Sequence, residues 1–325
     1  MRFILTLIGG VVTLAVLSLI ALNTGHGDLQ STEGETFYYL RAWRLGAAAL
    51  AGAALAMGGV LMQGLFRNPL ASPDVLGTTA FAVVGGQSAL LLHVFAGAAI
   101  PLFIPAELLL PIGCLLGAGL ALLVLLWLAE RAAGLTTVLI VGFLLAALGS
   151  SVGTFVTSFF RDQWELVRAL QGFSLGGVDG TGPIHLALGA PLVLIGGIAA
   201  WCWSRPLDVL LSGEIEAAAL GVDVTQVRRW VLIWTATLTA AAVALGGSAA
   251  FVGLIVPHVM RSCVGVGHRQ LIPVSAVAGA AFLVGCDILA RVLPPTGELP
   301  IGVVTGMIGA PLFIMVLIRS RRELA

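Results

Sequence analysis

Four charged side chains stand at spacings that would let them act together. Arg41 and Arg44 are three residues apart, so on a helix they share a face, and two guanidiniums on one face form a dock for a carboxylate. The bland alternative is a pair of snorkelling arginines beside Trp43 as an interfacial anchor. Asp287 and Arg291 are four apart inside an apolar run. An unpaired ion there costs about 2.5–3.5 kcal/mol on insertion scales, and this spacing allows a neutralising pair. Enzymatic constellations are missing from the sequence: it holds no Ser/His/Asp arrangement and no HExxH. His258 stands alone, so no metal site is expected. Cys114, Cys202, Cys263 and Cys286 are scattered without CxxC spacing and are expected to pack apolar helices. All sixteen basic residues are arginine. A chain without lysine has neither a standard P-loop nor a Schiff-base lysine; ATP, if used, must be hydrolysed by a partner, and no cofactor is expected.

These residues are carried by a very apolar chain. Of 325 residues 59% are hydrophobic and only 10% charged, with mean hydropathy +1.07. Soluble domains carry about 25% charge. The composition therefore defines an all-α polytopic membrane protein, and zero net charge suggests no nucleic-acid partner. At roughly 20 residues per span, ten spans fit, near 3–22, 46–65, 75–94, 107–128, 137–158, 184–203, 227–246, 249–263, 272–291 and 300–318. The first is long for a signal peptide and reads as a retained helix. The charge-free run through 230–260 divides at Gly246-Gly247-Ser248 into two short crossings, and Pro311 predicts a broken last helix. The 42 glycines fit helices packed through small residues.

The polar stretch from Gly64 to Gly77 interrupts two apolar runs. Pro69 and Pro73 cannot both lie inside a regular helix, and each pushes the residue before it, Asn68 and Ser72, out of the helical region. A helix stop, a tight turn and a restart follow, with Ser72 or Asp74 as the new cap. With both termini placed inside, eleven arginines fall on the inner side and five on the outer, in line with the positive-inside rule. The outer five are Arg41, Arg44, Arg161, Arg168 and Arg291.

The first outer loop, to Arg44, also holds Asp28, Glu33 and Glu35. The second, Phe159 to Pro183, predicts a short surface helix through Arg161, Asp162, Glu165 and Arg168. The largest inner loop, Arg205 to Arg229, contains Ser212 followed by Glu216, then Ala217-Ala218-Ala219-Leu220 and Gly221. That pattern predicts a short helix starting near Ser212 and stopping at Gly221, either a surface filler or a knob for a partner. An ion-coupled transporter would need intramembrane carboxylates; Asp287 is the one candidate, since Glu107 and Glu298 look interfacial.

In order along the chain, Arg41-Ala-Trp-Arg44, Gln63-Gly-Leu-Phe-Arg-Asn-Pro-Leu-Ala-Ser-Pro-Asp-Val-Leu-Gly77, Gly134-Leu-Thr-Thr-Val-Leu139, Ser212-Gly-Glu-Ile-Glu-Ala-Ala-Ala-Leu-Gly221, Phe251-Val-Gly-Leu-Ile-Val-Pro-His-Val-Met-Arg261, Gly267-His-Arg269, Asp287-Ile-Leu-Ala-Arg291, Glu298-Leu-Pro-Ile-Gly302 and Gly309-Ala-Pro311 resemble the permease subunits of iron-siderophore, haem and vitamin B12 ABC importers. One departure is Trp43, where the family usually shows proline. The resemblance implies a type II importer fold of ten transmembrane helices in one permease domain spanning 1–325. It also implies location in the bacterial inner membrane with cytoplasmic termini, and alternating access driven by a separate ATPase dimer. A second permease copy, or a related permease, would complete the pathway. By the same resemblance Arg41, Arg44 and Arg291 receive glutamates of a periplasmic binding protein. Asn68 and Leu70, with Thr136 and Thr137, form the inner gate. Cytoplasmic helices at about 206–223, through Gly213, Glu214, Glu216, Ala217, Ala218, Leu220 and Gly221, couple to the ATPase. A ferric siderophore is the expected cargo, with haem or cobalamin as alternatives.

Overall fold

The computed structural model describes residues 1–25, 34–96, 106–131, 135–160, 162–178, 181–294 and 297–322. Asp28, Glu33, Gly134, Arg161 and the Glu107 side chain lie outside the described residues. The described residues form thirteen α-helices and one 3-10 turn, with no strand among them. In order the helices are α1 (Arg2–Asn23), α2 (Gly34–Leu65), α3 (Thr78–Ala96), α4 (Ala106–Glu130), α5 (Leu135–Phe159), α6 (Trp164–Ser174), α7 (Pro183–Cys202), α8 (Ser204–Leu210), α9 (Glu214–Ala219), α10 (Val224–Gly246), α11 (Val252–Val264), α12 (His268–Val292) and α13 (Ile301–Arg322). The 3-10 turn, Pro73–Leu76, precedes α3. Eight helices are long and apolar enough to cross a membrane, and α11 and the Ile301–Met315 part of α13 are shorter apolar helices. Together they account for the ten expected spans, with α6, α8 and α9 as the short connecting helices.

The bundle is built around α2. Its apolar window is 72% buried, whereas that of α1 is 0% buried, so α2 is the core helix and α1 lies at the periphery. Helices α7, α10, α11 and α12 pack around α2. Close approach depends on glycine. A Cβ on Gly52 would run into the Gly279 carbonyl of α12, and one on Gly59 into the Gly253 carbonyl of α11. Backbones this close maximise dispersion contact where lipid supplies no hydrophobic drive between helices.

Four expectations need correction. Helix α2 begins at Gly34, not at 46, so Arg41 and Arg44 lie inside it. The apolar count stops at the arginines, but the helix continues because their charges are compensated by partners from other helices. With Trp43 in place of proline, nothing interrupts the backbone there. The run through 230–260 is not two short crossings. The break does fall at Gly247 (φ 64°), but α10 is a full span of 23 residues and only α11, of 13, is short. Pro311 lies within a continuous α13, as Pro111, Pro191, Pro257 and Pro273 lie within α4, α7, α11 and α12; proline is tolerated inside membrane-spanning helices. Finally, the cap of α9 is Gly213 (φ 128°) rather than Ser212, whose hydroxyl donates backward to the Val209 carbonyl.

Two cysteines, Cys114 and Cys286, are buried, as packing residues should be, whereas Cys202 and Cys263 are exposed on this chain.

Candidate functional site

Three groups of residues lie along the antiparallel α2/α12 pair. At one end is a charge cluster. The Arg44 guanidinium donates through Nε to Asp287 Oδ1 at 2.7 Å and through Nη1 to Glu298 at 2.5 Å. Arg291 donates through Nη2 to Asp287 Oδ2 at 2.6 Å. The pair proposed from the four-residue spacing therefore forms, and Arg44 joins it. The side chain of Asp287 is 1% exposed and that of Glu298 24%. Arg291 also donates to the Ala21 and Thr24 carbonyls, and Arg41 to those of Leu22 and Gly25. These acceptors lie at or just past the C-terminus of α1, where carbonyls lack helical partners and the helix dipole favours a cation. Thus Arg41 and Arg291 fasten α1 to the core, while Arg44 ties α2 to α12 and the segment before α13. All three are held inside this cluster, with Arg41 and Arg291 each 6% exposed, not displayed on an open rim. Among the described residues it brings together three arginines and two carboxylates.

At the other end of α2 is the turn. The helix stops at Leu65 before the prolines, and Arg67 adopts a left-handed φ of 49°. Asn68 folds back on the turn, its Oδ1 accepting the Leu70 N–H at 2.9 Å. Leu70 is 42% exposed. Ser72 occupies the cap of the 3-10 turn without a side-chain bond, and Asp74 accepts the Thr79 hydroxyl at 2.9 Å. Gly77 (φ 75°) turns the chain into α3, and a Cβ there would meet Leu145 and Ala146 of α5. A Cβ on Gly142 of α5 would likewise run into Leu76. The turn is thus packed on α5, at whose start Thr136 and Thr137 are exposed.

Sequence reasoning assigned no role to Gln63, which holds this region together. Pro257 in α11 has no N–H, so the carbonyl of Gly253 four residues earlier loses its helical donor. Gln63, 2% exposed, donates Nε2 to the carbonyls of Leu254 at 3.1 Å and Gly253 at 3.4 Å. A glutamine inside an apolar run was the available signal.

The third group is α8 with α9. Helix α9 ends in a Schellman motif: Val222 N–H donates to Ala217 O and Gly221 N–H to Ala218 O, both at 3.0 Å, with Gly221 at φ 86°. The stop predicted at Gly221 is therefore real. Ala217 is fully buried, whereas Ile215 is 83% and Leu220 72% exposed. Glu214 accepts from Arg228 of α10 at 3.1 Å. The element is a fixed knob with an apolar tip. Between α3, α5 and α6 lies a cavity of about 620 Å³, edged by Asp74, Thr79, Gln87, Ser150, Thr154 and Gln171.

Eight span-length helices, a buried charge cluster at one end and an apolar knob at the other define a polytopic membrane permease built to meet partners. Residues 1–319 match the model of the FecCD transport family, and the chain belongs to that family: it is a permease subunit of an ABC importer. The vitamin B12 import system permease protein BtuC of Vibrio parahaemolyticus is 40% identical over 320 residues, covering 95% of this chain and 92% of that one. The Fe(3+) dicitrate transport system permease protein FecD of Escherichia coli is 38% identical over 291 residues, covering 88% and 87%. A solved metal-chelate type ABC transporter in an inward-facing conformation superposes with TM-score 0.84 at 28% identity, over 97% of this chain and 99% of the other.

Proposed function

We propose that this chain is the permease of a binding-protein-dependent importer for a ferric siderophore. It lies in the bacterial inner membrane with both termini cytoplasmic, paired with a second permease and seated on a dimer of a separate ATPase. The observation that carries this reading is the separation of the two partner-facing features. The arginine cluster and the α8–α9 knob lie at opposite ends of α2 and α12, roughly 35 Å apart at 1.5 Å per residue. One end then faces an acidic binding protein and the other an ATPase.

Carboxylates of the binding protein would dock around Arg41, Arg44 and Arg291, three guanidiniums gathered at one end of the α2/α12 pair. Glu298 is its more exposed acid and the one an incoming glutamate would displace from Arg44. Asn68 and Leu70, with Thr136 and Thr137, form the inner gate: the Asx-type fold of Asn68 stiffens the turn, and exposed Leu70 plugs the mouth. Gly213 and Gly221 bound the coupling knob, buried Ala217 seats it, Glu214 ties it to Arg228, and Ile215 and Leu220, with exposed Glu216 and Ala218, present its outer face.

Vitamin B12 is the second reading, favoured by the 40% identity to a B12 permease. The test is reconstitution with the partner ATPase and binding protein, comparing uptake of radio-iron siderophore with radio-cobalt cobalamin and haem. Iron uptake alone supports the first reading; cobalamin uptake alone replaces it.

A further inference from the structure

One contact at the knob end belongs to neither the gate nor the knob. Asp208 on α8 accepts two bonds at a single oxygen, from the backbone N–H of His268 at 2.8 Å and from its ring Nδ1 at 2.6 Å. The N-cap of α12 is Gly267, which has no side chain to cap with; the carboxylate of another helix does so instead. His268 is 1% exposed, and its Nε2 has no hydrogen-bond partner among the described residues. The ring lies against Gly64, where a Cβ would run into Nε2, Cδ2 and Cε1. Gly64 is next to last in α2, and its carbonyl accepts the Arg67 N–H that starts the turn, while the Gln63 carbonyl accepts that of Asn68. An unbroken line of contacts therefore runs from α8 through Asp208, His268 and Gly64 to Asn68. Two other polar or stacking ties at this end lead elsewhere, Glu214 to Arg228 on α10 and Arg269 stacked 4.9 Å above Trp201 on α7, while Leu207 and Leu210 of α8 also pack in one core with Leu61 and Leu65 of α2.

We infer that Asp208 and His268 form a strut that carries displacement of the α8–α9 knob to the turn bearing Asn68 and Leu70. They are positioning residues that touch no cargo. The inference rests on the reading of α8–α9 as the ATPase-facing element. Two bonds to one oxygen fix the ring's orientation, and a glycine backbone offers it no side chain that can yield. A close-packed contact of this kind transmits a shift instead of absorbing it.

The test uses the permease reconstituted in liposomes with its ATPase and binding protein. Variants are Asp208→Ala, His268→Ala, the double variant, and His268→Asn, which keeps a donor toward Asp208 but withdraws the ring from Gly64. The strut predicts that ATPase co-purification and basal ATP turnover stay within about twofold of the parent. Cargo moved per ATP falls about tenfold in each single variant and no further in the double, because both changes break one linkage. His268→Asn is uncoupled as well, whereas a mere helix cap would be rescued by it. Unchanged cargo per ATP, effects that multiply in the double variant, rescue by His268→Asn, or loss of the ATPase from the complex would each overturn the strut. The underlying reading fails separately: retention of the ATPase by Ile215→Asp removes α9 as its dock, whatever the strut variants do.

Discussion

Replacing Asp287 by asparagine keeps the shape of the side chain and removes its charge. In the native chain the carboxylate lies between Arg44 at 2.7 Å and Arg291 at 2.6 Å with 1% of its side chain exposed. At 4 Å and an effective dielectric of 20, each pairing is worth up to about 4 kcal/mol, largely offset by desolvation. Removing one member of a buried pair costs more than the pair's net worth, about 3–5 kcal/mol, because the stranded charge stays buried. At roughly 2 °C per kcal/mol for a chain of this size, Asp287→Asn lowers the midpoint of detergent-solubilised thermal aggregation by roughly 6–10 °C. Glu298→Gln, at a side chain 24% exposed and bonded to Arg44, lowers it by about 2 °C, as a partly screened pair should. The paired change Asp287→Leu with Arg291→Met removes both charges and leaves the cluster's net charge as it was. It should cost less than Asp287→Asn alone. The assay is size-exclusion recovery after heating, run on all variants. Equal shifts for Asp287→Asn and Glu298→Gln, or a paired variant whose loss is the sum of its two singles, would refute the claim that the cluster acts as one buried ionic unit.

Gln63→Leu leaves the Gly253 carbonyl, already deprived of its helical donor by Pro257, without a partner and removes the added bond to Leu254; it should cost about 1–3 kcal/mol, read as a lower aggregation midpoint in the same assay. Gly59→Ala drives a Cβ into the Gly253 carbonyl, so folded permease should fail to accumulate in membranes, while alanine at Gly119, which meets nothing within 4 Å, should be neutral. Ile215→Asp should release the ATPase in co-purification and leave membrane insertion intact. At Asp208 burial pushes the carboxyl pKa up, but the bonds from the His268 ring and backbone, with the charge of that ring, pull it further down, to below its usual value. A lowered folded pKa gives stability that is present above the unfolded value, about 3.9, and is lost as pH falls through the folded one. Hydrogen exchange at the start of α12 should therefore stay slow from pH 8 to about 5 and quicken only in stronger acid, and Asp208→Asn should abolish that acid step.

Much of this architecture is local and so was legible in order along the chain. Apolar run length gave ten spans, because a bilayer imposes a minimum length on every helix that crosses it. Pro69 and Pro73 placed the turn, since the missing N–H and the restricted preceding residue act within one helical turn. Gly221 ended α9 because a left-handed residue there satisfies the last carbonyls. Asp287 and Arg291 paired because i and i+4 meet on any helix. What the tertiary structure alone decided are partners far apart in sequence. Arg44 and Asp287 are 243 residues apart, Gln63 and Leu254 191, and Asp208 and His268 60. No periodicity reports such pairings. The start of α2 was missed because its arginines look like a loop until α12 neutralises one of them and α1 offers its terminal carbonyls to the other. Pro311 misled for the converse reason: a lone proline signals a break, but transmembrane helices tolerate proline in their interior, and α13 runs on through it. The sequence carries the rules that act within a turn or a span; which buried charge meets which is set only when the helices pack.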